Sequence, residues 1–317
     1  MIDKIVAIQA DPVSELRPES DSSLFIASEL CRVGYKVFFY TPCDLSVTHD
    51  KIFTAKGSFV SVDFKDYRSQ YSILSNTTIN LRTAHIVMIR QNPPFNMKYI
   101  TNCYILEQLQ KYEPYVINDP TGIRANSEKM SVYKFPEFIP PSLIIGHFNE
   151  LVSNFIIEQR EVVIKPLYWF GGQFIKKISD LNTGRKQIET ALREHGHIII
   201  QKFLPSVYEG DKRIIIIDGK IAASMKRVPA KGNFIANLAA GGYANYTELS
   251  NREKYIAETI GSYLKQQGIF FAGLDMISEY LIEINVTSPT GLVAINKLYG
   301  INLAKEIVST LEQKLRE

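Results

Sequence analysis

Short apolar runs alternate with amphipathic stretches through the first third of the chain, the signature of parallel strands separated by helices. Lys4 to Ile8, Lys36 to Tyr40, Ala84 to Ile89 and Tyr115 to Ile117 read as strands. Between the first two, Asp21 is placed to cap a helix whose Leu24, Phe25, Ala27, Leu30 and Cys31 share a face, and Gly34 is placed to end it. A second helix is predicted over Tyr99 to Lys111. The β-rich stretch Ile52 to Asn80 interrupts this rhythm and reads as an inserted hairpin.

Polar and turn-forming residues gather at Asn118 to Arg124, and the pattern changes after them. This predicts three units: an N-terminal α/β domain with a Rossmann-like parallel sheet over 1–122, a central α+β unit over 123–206 and a C-terminal α+β unit over 207–317. In the central unit, strands at Glu161 to Lys165 and Ile198 to Phe203 surround a helix near Arg185 to Glu194. In the last, Asp218-Gly219 is a hairpin turn, and helices near Arg252 to Gln266 and Leu303 to Leu315 flank a second hairpin.

That second hairpin, within Gly273 to Pro289, carries candidate chemistry. Asp275 lies on one strand; Glu283 and Asn285 share a face of the next. A three-residue turn at Ser278 to Tyr280 would pair Ile277 with Leu281 and set Asp275 opposite Glu283. Opposed carboxylates at roughly 5 Å repel unless a cation lies between them, and hard oxygen donors suit Mg²⁺ held jointly by phosphates. A polar sheet edge with a salt bridge is the plainer reading.

Bulk properties narrow the field. At 45% hydrophobic and 22% charged residues the chain is an ordinary globular protein, and a formal charge of +3 without a basic stripe argues against nucleic acid. The odd cysteine count (Cys31, Cys43, Cys103) fits free thiols in a reducing compartment. With no signal-like start and no long apolar run, a cytoplasmic protein with no membrane partner is expected. His195 and His197 read as a surface loop.

Other residues suggest anion binding. Lys165 interrupts the apolar strand VVIKP, and a buried ammonium needs an anionic partner. Gly171-Gly172 and the small-residue run Asn237 to Gly242 could expose backbone amides to phosphate. Ordinary tight turns would look similar, and no Walker or GxGxxG signature is present. Asp211 and Arg213 begin an apolar strand, and Arg90 leaves a strand of the parallel sheet at the end where ligands gather.

These segments together resemble the prokaryotic glutathione synthetases of the ATP-grasp superfamily. DSS (21–23), RQNPPFN (90–96), EKM (128–130), VIKP (163–166), QKFLP (201–205), GDKRIIIIDG (210–219), NLAAGG (237–242) and LIEINVTSPTG (281–291) stand in family order from first strand to last helix. The resemblance implies an ATP-grasp fold, with the central unit as a lid gripping ATP, and ligation of γ-glutamylcysteine to glycine through an acyl phosphate. It implies that Lys129 and Lys165, with the Gly171-Gly172 loop, meet ATP phosphates. The backbone of Gln201, Lys202, Phe203 and Leu204 would hold adenine, and Asp211 the ribose. Asp275, Glu283 and Asn285 would hold Mg²⁺ or Mn²⁺. Arg213 and Arg227 would act in catalysis, and Ser22, Arg90, Arg213, Asn285, Thr287 and Ser288 would contact the peptide substrate. A homo-oligomer, a tetramer or dimer, is also implied.

The sequence departs from the family pattern near this site. Tyr168, Trp169 and Phe170 replace a small, acidic run before Gly171, Ile235 replaces an arginine, Ala236 replaces a glycine, and Leu292, Val293 and Ala294 replace Ile-Arg-Glu. The alternatives these departures raise are an ATP-binding relative without ligase activity and a ligase for another amine or peptide.

Overall fold

The computed structural model describes residues 4–316. Its first sheet is built from β1 (Ile5–Gln9), β2 (Lys36–Val47), β3 (Phe53–Lys65), β4 (Arg68–Asn80), β5 (Ile86–Ile89) and β6 (Tyr115–Ile117), in the order β4, β3, β2, β1, β5, β6. The β2, β1, β5 and β6 strands run parallel, as their buried apolar runs require. The Ile52 to Asn80 hairpin does not stand apart. It pairs antiparallel with β2 and extends that sheet by two strands.

Helix α1 (Ser22–Arg32) is capped by Asp21, which accepts from the Leu24 amide at 2.8 Å. Its residues from Ser22 to Leu30 are all buried, so more than one face is covered: β3 flanks it along with the C-terminal helices. Helix α2 (Met97–Leu109) starts two residues before the predicted point because Asn96 caps it, and α3 (Pro120–Ala125) follows β6 directly.

A second sheet, in the order β7, β10, β8, β9, comprises β7 (Ser142–Ile145), β8 (Val162–Pro166), β9 (Lys176–Ile178) and β10 (Ile198–Lys202), with helices α4 (Glu150–Gln159) and α5 (Leu181–His195). It has its own apolar core around Ile164, Ile188 and Ile200. The third sheet runs β13, β12, β11, β14, β15, from β11 (Asp211–Ile217), β12 (Lys220–Val228), β13 (Tyr243–Asn245), β14 (Phe271–Ile277) and β15 (Tyr280–Asn285). Helices α6 (Asn251–Gln266), α7 (Leu292–Tyr299) and α8 (Leu303–Lys314) flank it.

The first and third sheets share two apolar cores. Asn118 joins them: its amide donates to the Phe271 and Val286 carbonyls and accepts from the Phe270 and Phe271 amides, all at 2.8–2.9 Å. No helix among the described residues is long and apolar enough to cross a membrane.

The Asp275 hairpin carries one correction. Its turn has two residues, not three: Ile277 pairs with Tyr280 and Met276 with Leu281. The surplus residue sits instead in a β-bulge at Ile282, which brings Glu283 opposite Asp275. Asp218-Gly219 does form a two-residue turn, with Ile217 opposite Lys220 and positive φ at both positions (46° and 80°).

Candidate active site

The third sheet lays out its charges in cross-strand rows. Arg213 on β11 lies opposite Asp275 on β14, which lies opposite Glu283 on β15; two residues back along β11, Asp211 lies opposite Arg227 on β12. The two-residue period puts these side chains on one face. Gly273, opposite Asn285, makes room for them: a Cβ there would stand 3.1 Å from Arg213 Cδ.

The pairing that results is dense. Arg213 Nε and Nη2 donate to the two Asp275 oxygens, the second at 2.9 Å, while Arg227 Nη2 stands 3.0 Å from Asp275 Oδ2. Arg227 also grips Asp211 through Nε (2.7 Å) and Nη2 (2.6 Å). Asn285 Nδ2 adds a donor to Asp275 Oδ2 at 3.3 Å. Burial works against charge on Asp275, yet Arg213 and Arg227 overcome it and hold the carboxyl down at about 2. Burial likewise opposes charge on Arg227, and Asp275 and Asp211 reverse that and raise it. The cation required beside opposed carboxylates is thus supplied by the chain itself: Asp275 meets arginines, and Glu283 meets Lys129 at 3.1 Å.

Lys129 also donates to the Trp169 carbonyl, and Lys165 donates to Gln201 Oε1 at 2.7 Å. Lys165 is buried, which pulls its ammonium down to about 8 despite the attraction of Glu283. Beside them Glu128 accepts from Thr287 Oγ1 at 2.6 Å, and burial together with the Glu283 charge pushes its carboxyl up to about 7.

Two cavities meet at this charged face. One is lined by Lys129, Lys165, Gly171 and Gly172, by Gln201 through Leu204, and by Asp211, Asp275 and Glu283. The other is lined by Arg213, Arg227, Asn285, Thr287 and Ser288. Ser22 and Arg90 line neither. Ser22 Oγ accepts from the Leu292 amide at 3.3 Å, and Arg90 donates to Ser23 Oγ (3.0 Å) and the Pro289 carbonyl (2.8 Å), so both brace the wall from behind. Of the strand-end amides, Lys202 and Phe203 donate to Pro141 and Glu161 carbonyls, whereas Leu204's is uncommitted. Asp211, expected at a ribose, has both oxygens on Arg227.

The unusual loop residues have a structural basis. Trp169 and Phe174 pack edge to face with centroids 4.9 Å apart, Phe174 lies as close to His195, and Trp169 lines the first cavity. Ile235 lies over Gly172, where a Cβ would meet its Cγ2 at 2.5 Å. Leu292 and Val293 are buried in the shared core. Sequence reasoning assigned no role to Glu128; Asn237, in the small-residue run read as a candidate phosphate loop, lines both cavities. The adjacency of Glu128 to Lys129 was the available signal for the first.

Asp275, Glu283 and Asn285 are the residues expected to meet a divalent cation; among the described residues no three His, Cys, Asp or Glu side chains gather as a metal centre. Family models for the prokaryotic glutathione synthetase N-terminal domain and ATP-grasp domain match residues 5–124 and 128–300. The chain belongs to the prokaryotic glutathione synthetase family. Among the glutathione synthetases it resembles, that of Rhodopseudomonas palustris (strain ATCC BAA-98 / CGA009) is 36% identical over 312 residues, covering 98% of each chain. That of Coxiella burnetii (strain RSA 493 / Nine Mile phase I) is 34% identical over 313 residues, covering 98% of this chain and 96% of its own. The D-cycloserine synthetase DcsG shares the fold, with a TM-score of 0.68 at 13% identity over 98% of this chain and 99% of that one. So does the D-alanine–D-alanine ligase of Bacillus anthracis, solved with ATP: TM-score 0.64 and 14% identity over 100% and 98% of the two chains.

Proposed function

We propose that the protein is an ATP-dependent ligase that joins γ-glutamylcysteine to glycine, giving glutathione, ADP and phosphate. The observation that carries this reading is the face where Lys129, Lys165, Arg213 and Arg227 converge between two cavities, in a chain of this family. ATP occupies the first cavity and the peptide and glycine the second, so that the cysteinyl carboxylate and the γ-phosphate meet at the shared wall.

The chemistry requires activation, because a carboxylate is a poor acceptor for an amine. A carboxylate oxygen of the peptide attacks the γ-phosphorus and ADP leaves. The glycine nitrogen, having lost a proton, attacks the acyl carbon; the C–O bond breaks and phosphate departs with that oxygen. Arg213 and Arg227 stabilise charge on the transferring phosphoryl group and on the tetrahedral oxyanion, and such donors typically contribute about 10²–10³ in rate. Lys129 and Lys165 neutralise the nucleotide phosphates. The Tyr168–Phe174 loop closes over both cavities and keeps water from the acyl phosphate.

Mg²⁺, or Mn²⁺, fits this donor set only together with nucleotide. Four acids (Glu128, Asp211, Asp275 and Glu283) face four cations (Lys129, Lys165, Arg213 and Arg227), so a bare cation meets no excess negative charge. A phosphate chain supplies both the missing oxygen ligands and the anionic charge that draws the arginines off Asp275. When bound, the ion shields the phosphates and orients them for transfer.

The test is phosphate release from ATP by the purified protein. Release that requires both γ-glutamylcysteine and glycine supports the proposal; nucleotide binding without such release would return the non-catalytic reading, and release with a different amine would change the acceptor.

A further inference from the structure

The loop between β8 and β9 is held from two sides. Two consecutive carbonyls reach from it to the body formed by the first and third sheets: Tyr168 accepts from the Phe95 amide at 3.3 Å, and Trp169 accepts from Lys129. Phe95 is rooted in the core those sheets share. The Trp169 ring packs instead within the second sheet's unit, where its centroid lies 4.9 Å from that of Phe174 and 6.1 Å from that of His195, the last residue of α5.

Phe174 shows how firmly this packing is built. Its φ of 61° is left-handed, a conformation that costs a residue with a side chain about 1–2 kcal/mol and persists only where the surroundings fix it. The residue is also 46% exposed, so burial alone does not offset that cost. What the conformation gains is contact with the Trp169 and His195 rings.

The consequence falls on Lys129. An ammonium has three donors. One meets Glu283 at 3.1 Å and one meets the Trp169 carbonyl, which fixes the direction of the third within the cavity that Lys129 lines. Any residue at 169 has a carbonyl, but a small one has no ring to hold that carbonyl over Lys129. We propose that Trp169 is a positioning residue for Lys129: its ring, anchored on Phe174 and His195, holds the carbonyl that aims the ammonium at the nucleotide phosphates. This role rests on the reading of the first cavity as the ATP site.

Calorimetric titration of the full chain with a non-hydrolysable ATP analogue and Mg²⁺, without peptide or glycine, tests this. It reads nucleotide binding alone, so a failure of ligation would sink the ligase reading without touching this result. Trp169→Ala should weaken binding about tenfold, the scale of one hydrogen bond to a charged group, and Trp169→Phe, which keeps a ring against Phe174, should restore most of the loss. Phe174→Ala should weaken binding in the same way with residue 169 intact. In a Lys129→Met background neither alanine substitution should weaken binding further. Wild-type affinity in Trp169→Ala, or a loss that persists undiminished in the Lys129→Met background, overturns the proposal. Trp169 is the only tryptophan of the chain, so its emission reads the anchor directly. Acrylamide should quench it more readily in Phe174→Ala than in the wild type while circular dichroism is unchanged; equal quenching would also overturn the proposal.

Discussion

Asp275 accepts hydrogen bonds from Arg213, Arg227 and Asn285, whereas Glu283 has one ion pair among the described residues, with Lys129. The two carboxylates therefore respond differently to change. Breaking the buried Asp275 cluster would cost about 3–5 kcal/mol of stability, which would confuse a kinetic readout. Glu283→Gln keeps the side chain's shape and leaves Lys129 on the Trp169 carbonyl. It should lower kcat about 10²–10³-fold with little change in melting temperature, measured by phosphate release and calorimetry; near-normal turnover would remove Glu283 from the proposed metal set. Lys165 makes a pH prediction. Burial brings its ammonium down to about 8, and the phosphates need the protonated form. Because kcat/KM reports groups of the free enzyme, kcat/KM for ATP should fall as pH rises through about 8, while Lys165→Arg, which stays charged, should move that fall to higher pH. A flat profile from neutral to alkaline pH would contradict the assignment. Asp275, Glu283 and Lys165 were legible because each is a charge in an otherwise apolar strand; the arginine cover on Asp275 was not, because only strand pairing in the third sheet brings 213 and 227 to 275.

At the scale of elements, the β14–β15 hairpin shows what patterning can and cannot reach. Alternation within each strand gave the face, and the residue count placed Glu283 opposite Asp275. The location of the surplus residue depends on whether the turn or the ladder absorbs it, and the ladder does so at Ile282. Helix α7 was missed because Leu292–Tyr299 is mostly apolar and short, so its periodicity is weak, and its Gly291 N-cap supplies no side-chain cap. The lid loop offers the sharpest element-level test. Gly172 has φ of 77° and no space for a Cβ beside Ile235. Gly172→Ala should therefore raise KM for ATP and slow turnover by about tenfold or more, combining a left-handed backbone cost of about 1–2 kcal/mol with the clash. Adding Ile235→Ala removes the clash but not the backbone cost, so the double variant should recover part of the loss; strict additivity of the two single effects would show that the loops do not meet there.

For the molecule as a whole, the arrangement of cores matters most. The first and third sheets share theirs and are stitched by Asn118, whereas the second sheet carries its own core and faces the other two across the cavities. That division suits a rigid base that aligns peptide and nucleotide beneath a separately packed cover. Trp169 and Phe174 pack against His195 and Ile235 lies over Gly172, while Arg213 and Arg227 stand on the base and Lys165 on β8 of the cover. The central claim is that ligation passes through an acyl phosphate formed on the peptide. Incubation with ATP, Mg²⁺, glycine and γ-glutamylcysteine carrying ¹⁸O in its cysteinyl carboxylate, followed by mass spectrometry of the released phosphate, tests it. Transfer of a single ¹⁸O from that carboxylate into inorganic phosphate, matched by glutathione formed, is the expected result; phosphate released without the label would contradict it.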